Sequence, residues 1–73
     1  MTAEEIAQTV RGRRKELRLS RRTLAELAEV AVHTVANVET ARANPTLEVL
    51  TRILQVLGLE VSIRPRAPGA GVP

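Results

Sequence analysis

The sequence predicts an all-α domain of four short helices closed by one terminal β-strand. Three observations predict it. Hydroxyl residues, Thr2, Ser20 and Thr46, stand just ahead of three stretches whose apolar residues recur at helical spacing. Between Leu19 and Glu39 two short helical patterns, LSRRTLAELAEV and AVHTVANVE, follow one another across a tight turn. After Gly58 the period changes to two, with Leu59, Val61 and Ile63 alternating with Glu60, Ser62 and Arg64.

The first helix is expected over about 3–18. Thr2 is its N-cap, Glu4 and Glu5 complement its positive end, and basic residues gather toward the other end, as the helix dipole favours. Ile6, Val10 and Leu17 share a face, and Arg14 falls on that same face one turn after Val10, where a charge needs a buried partner. Ser20 caps a second helix over about 21–29, with Leu24, Leu27 and Ala28 turned inward and Val30 anchoring the turn. A third helix covers about 32–40 and buries Val35 and Val38. Its outside is then Val32, His33, Thr34, Ala36 and Asn37, a surface without charge or bulk where Lys and Glu ordinarily dominate.

Asn44 and Pro45 break the chain, Thr46 caps a fourth helix whose Leu47, Leu50, Ile53, Leu54 and Leu57 close the core, and Gly58 ends it. A strand over 59–64 cannot satisfy its own backbone, and the sequence contains no other. The economical solution is a homodimer in which Leu59, Val61 and Ile63 pair with the same strand of a second copy; the alternative is a frayed tail. Residues 65–73, PRAPGAGVP, have the composition of a disordered tail, which leaves 1–64 as the domain.

Composition narrows the function. A chain of 73 residues holds one domain with a marginal core, so a partner chain is expected to contribute stability. There is no Cys for disulfide or thiolate chemistry, and no apolar run of membrane-spanning length; the start, Met1 to Gln8, is acidic and amphipathic, which predicts a cytoplasmic protein with no membrane partner. The absence of Phe, Trp and Tyr argues against RNA and single strands, which are held on aromatic platforms. His33 is the sole His and no Cys accompanies it, Ser20 and Ser62 have no base beside them, and Gly69 and Gly71 lie in the tail. No metal site, catalytic residue or cofactor is therefore expected.

Charge is laid out unevenly. The net charge is +3, yet from Val10 to Arg22 seven basic residues (Arg11, Arg13, Arg14, Lys15, Arg18, Arg21 and Arg22) face the single acid Glu16. A solvated helix face explains such a run, but its place at the head of a helix-turn-helix is where flanking phosphates lie when a second helix docks in the major groove. Double-stranded DNA is the expected partner.

Residues from about 6 to 59 resemble the XRE family of lambda-repressor-like helix-turn-helix domains, through RRKELRLS, TLAELAEV, TVANVE, ANPTLEVL and LQVLGLE. The ending LGLEVSIRPR further resembles small HipB-like and Y4mF-like antitoxin regulators, which finish in a dimerising strand. The resemblance implies a structural ion pair between Arg14 and Glu39 that ties the first helix to the third. It also implies base readout by Val32, His33, Ala36 and Asn37. Of these, Asn37 suits a bidentate contact to adenine, His33 suits guanine N7 or a phosphate, and Val32 suits a thymine methyl. Contacts to the DNA backbone fall to Ser20, Arg21, Arg22, Thr34, Arg42, Asn44 and Thr46, with Arg21 standing where many relatives carry Gln. The chain departs from the family at its helix ends. Arg18, Glu29 and Ala41 occupy left-handed turns where Gly is common, and Ala31 replaces the hydroxyl cap ahead of the third helix.

Three functional readings follow. In one, the chain is the antitoxin and autorepressor of a toxin–antitoxin operon, binding an inverted-repeat operator and a cognate toxin protein. In another it is a stand-alone transcriptional repressor. In the third it is a degenerate helix-turn-helix that has become an interaction module.

Overall fold

The computed structural model describes residues 1–65 and contains four helices: α1 (Ala3–Glu16), α2 (Arg21–Ala28), α3 (Val32–Glu39) and α4 (Leu47–Val56). The tail expected at 65–73 lies, from residue 66 on, outside the described residues. Each hydroxyl cap works as its position suggests. Thr2 Oγ1 accepts the Glu5 N–H at 3.1 Å, Ser20 Oγ the Thr23 N–H at 3.0 Å, and Thr46 Oγ1 the Val49 N–H at 3.1 Å. Ala31 heads α3 with no side-chain cap.

All four helices stop in the same way. A residue with positive φ follows each (Arg18 57°, Glu29 59°, Ala41 56°, Gly58 71°). The next N–H then reaches back to an earlier carbonyl: Leu19 to Arg14 at 3.1 Å, Val30 to Ala25 at 3.0 Å, Arg42 to Asn37 at 2.9 Å and Leu59 to Leu54 at 2.8 Å. Leu19, Val30 and Leu59 also pack on the core, the apolar contact that accompanies such ends. These caps carry the turns, so α1, α2 and α3 finish at Glu16, Ala28 and Glu39, one or two residues before the expected ends. Three of the four left-handed residues bear a Cβ, at a cost of about 1 kcal/mol each. Ala41→Gly is expected to stabilise the domain by about 0.5 kcal/mol, after the greater freedom of Gly in the unfolded chain is counted, and to raise Tm by about 2–4 °C. Thermal denaturation followed by circular dichroism reads this directly, and an unchanged or lower Tm contradicts it.

One core joins the helices. It takes Val10 from α1, Leu24, Ala25 and Ala28 from α2, Val35 and Val38 from α3, and Leu50, Ile53, Leu54 and Leu57 from α4 and its cap. α3 packs against both α1 and α2, and α2 also covers α4. Three leucines expected inside are exposed. Leu17 is the C-cap of α1, beyond its last turn. Leu27 is 58% exposed. At roughly 100° per residue Leu24, Ala25 and Ala28 already fill the arc that meets the core, which leaves Leu27 at its edge, and Ala25 takes the inward place instead. Leu47, 67% exposed, lies in the first turn of α4 and opens on a groove shared with Leu54, Leu59, Val61 and Ile63.

The strand expected over 59–64 is not formed among the described residues. Leu59 and Val61 lean on the core, Ile63 is 96% exposed, and among the described residues no backbone–backbone hydrogen bond involves 60–65. The described residues of one chain offer this segment no strand to pair with. Among the described residues, no helix is long and apolar enough to cross a membrane.

Candidate nucleic-acid interface

The interface is built from α3 outward. Val35, Val38 and Glu39 are buried and fix which flank of α3 faces the protein. Val32, His33, Thr34, Ala36 and Asn37 are left on the other flank, exposed or half-buried. Among the described residues, neither the His33 ring nor the Asn37 amide has a hydrogen-bond partner within the chain, and no buried polar side-chain atom lacks one. The turn that sets the angle between α2 and α3 is short: Glu29 in the left-handed conformation, Val30 packed on the core, and Ala31 extended. The structure thus brings all four expected base-reading residues onto one accessible helix.

Glu39 holds the rear end of this helix. Its carboxylate is fully buried and is gripped by Arg14, with Nε–Oε2 at 2.6 Å and Nη2–Oε1 at 3.0 Å, the bidentate form of a charge-assisted pair. Arg14 Nη1 also donates to the Leu19 carbonyl at 2.9 Å. The ion pair inferred from the resemblance is therefore present, and it gives the charge on the apolar face of α1 its partner. Burial is the largest influence on the Glu39 carboxyl and pushes its pKa up. The hydrogen bonds from Arg14 and Arg21, together with their charges, outweigh it and hold the carboxyl below its ordinary value. The hydrogen bond to Glu39 raises the Arg14 guanidinium in turn, against a smaller opposing effect of burial.

The sequence did not reveal how much of the basic run this arrangement uses. Arg21, expected at a phosphate, directs its Nε to Glu39 Oε1 at 3.1 Å, which joins the start of α2 to the end of α3. Arg11 Nη1 donates to the Glu39 carbonyl at 3.2 Å, and Arg13 Nε donates to the Leu57 carbonyl at 2.9 Å while its Nη1 meets Glu16 at 3.2 Å. The one available signal was the three-residue step from Arg11 to Arg14, which puts both on the same side of α1. Among the described residues, Lys15, Arg18, Arg22 and Arg42 make no ion pair, and the two Nη groups of Arg21 make no hydrogen bond. Ser20 is committed to its cap, Thr46 accepts the Val49 N–H, and Asn44 is exposed in the loop before α4.

A family model described as a helix-turn-helix domain matches residues 5–67. This chain belongs to the helix-turn-helix family. No curated protein sequence matches it significantly. Among solved structures it is similar to the clp gene regulator ClgR from Corynebacterium glutamicum, with a TM-score of 0.75 and 24% identity over 81% of this chain. The chain spans 63% of that structure's chain, so the likeness is one of fold. Both findings agree with an XRE-like helix-turn-helix, whereas neither bears on HipB-like or Y4mF-like closeness. A helix-turn-helix domain characteristically sets its second helix in the major groove of duplex DNA, and the helix that holds this place in the motif here is α3.

Proposed function

We propose that this helix-turn-helix chain is a transcriptional repressor that reads an inverted-repeat operator as a homodimer, with one α3 in each half-site. One observation carries the reading: the outward flank of α3 keeps its side chains free of internal hydrogen bonds, while Glu39 locks the helix from behind. Val32, His33, Ala36 and Asn37 read base edges. Arg21, Arg22, Arg42, Asn44 and Thr46, with Ser20 and Thr34, set the register on phosphates. Repression follows from occlusion of the promoter in the cytoplasm, and the work is binding, with no chemical step.

Duplexes enriched from a random pool by the wild-type protein supply the test. In mobility shifts, Asn37→Ala is expected to weaken binding to the enriched site by about 1–3 kcal/mol, roughly 5- to 150-fold, and to leave binding to unrelated DNA nearly unchanged. Failure to enrich any duplex ends the repressor reading and favours a degenerate module. An enriched site that Asn37→Ala binds equally well removes Asn37 from the readout. The antitoxin form of the reading adds a toxin partner on the strength of the ending LGLEVSIRPR alone; co-purification with the product of the adjoining gene tests that addition separately.

A further inference from the structure

The segment after α4 has a free edge, and its sequence is complementary to itself. The Leu59 N–H is already spent on the Leu54 carbonyl at 2.8 Å, so that side of the backbone faces the protein's own helix. Along an extended chain the backbone groups alternate sides. In an extended 59–65 segment, residues 61, 63 and 65 would share the inner side with Leu59, and Glu60, Ser62 and Arg64 would turn theirs outward. Pro65, which has no N–H to offer, falls on the inner side, where none is called for. The side chains divide as well. Leu59 and Val61 lean on the core between two surface grooves of about 320 and 370 Å³, the first bordered by Ile6 and Leu50 and the second by Leu47 and Ile63.

We propose that a second copy of this chain pairs antiparallel along that edge in the register centred on Ser62. This rests on the homodimer in the reading above and specifies how it is made. In this register Glu60 stands opposite Arg64 of the partner subunit, and the two-fold axis makes the same pair a second time. Val61 stands opposite Ile63 of the partner subunit on the apolar face, which gives the most exposed apolar side chain of the described residues a neighbour beside Leu47. Glu60, Ser62 and Arg64 each exchange both of their ladder bonds across the axis. Moving the centre to Val61 sets Glu60 against Ser62 and abandons both ion pairs, so charge complementarity selects the Ser62 register.

Charge exchange on the full chain, read by sedimentation at low salt, tests it. Wild type is expected to dimerise, while Glu60→Arg and Arg64→Glu each place like charges opposite one another twice and raise the dimer Kd about tenfold. The double variant Glu60→Arg with Arg64→Glu restores the pairs in reverse and is expected within about threefold of wild type. Both residues are exposed, so none of these changes threatens the fold. A wild type that stays monomeric at high concentration overturns the dimer and the register together. A dimer indifferent to both single changes, or one that the double change does not rescue, overturns the register alone.

Discussion

Glu39→Ala is expected to cost the domain about 3–5 kcal/mol, because it strands the largely buried Arg14 guanidinium and releases Arg21 and the end of α3 with it. At roughly 0.05–0.15 kcal/mol per residue a domain of this size has only about 4–10 kcal/mol of stability to lose, and a marginal core puts it at the low end, so the variant should be partly unfolded near physiological temperature. Replacing the pair together, as Arg14→Met with Glu39→Leu, should recover much of the loss, since an apolar pair needs no compensation for buried charge. Urea denaturation of the three proteins decides the matter; a Glu39→Ala midpoint close to wild type would falsify the anchoring role. The same carboxylate sets an acid limit. Its folded pKa lies below the ordinary 4.5, so its contribution is fully present above that value and is lost as pH falls from there through the folded pKa. Thermal stability should therefore be level near neutrality and decline below about pH 4.5, and Glu39→Gln should remove part of that decline.

Operator affinity is expected to fall about 10³- to 10⁵-fold between 50 and 200 mM salt, with a slope of about −5 to −9 in log affinity against log salt. That slope corresponds to about 6–10 phosphates neutralised by a dimer. The basic side chains differ in how far they are committed within the fold. Arg22 and Arg42 are exposed and unpaired among the described residues, whereas Arg11 and Arg13 are spent on the carbonyls of Glu39 and Leu57. Arg22→Ala should make the slope about 2 units shallower for the dimer, one contact per protomer. Arg13→Ala should lower stability and leave the slope where it was. Fluorescence anisotropy across a salt series measures both, and equal effects of the two substitutions would show that the basic run acts as an undivided field.

Local chemistry made much of this legible in the sequence. A hydroxyl ahead of a helical stretch has one nearby task, so Thr2, Ser20 and Thr46 were readable as caps, and the resemblance located the left-handed turns at Arg18, Glu29 and Ala41. Val35 and Val38 were readable because α3 is packed from two sides and its stripe has no choice of partner. Leu27 and Leu47 misled because periodicity says which residues share a face, while only the neighbouring elements decide how wide a strip of that face is covered. Arginine partners were harder still. A long guanidinium side chain can reach a carbonyl far away in sequence, as Arg13 does at Leu57, and no spacing rule encodes that reach. The segment from Leu59 to Arg64 displays its alternation openly, but what it pairs with is a property of two molecules.

Division of labour along α3 has an evolutionary consequence. The residues that hold the helix in place, Val35, Val38 and Glu39, are separate from those that face outward, and the side chains of Val32, His33 and Asn37 make no hydrogen bond within the described chain. Target preference can therefore drift by exchange of a few surface letters while the scaffold beneath them stays intact, and descendants of one ancestor can come to address different operators without first being rebuilt.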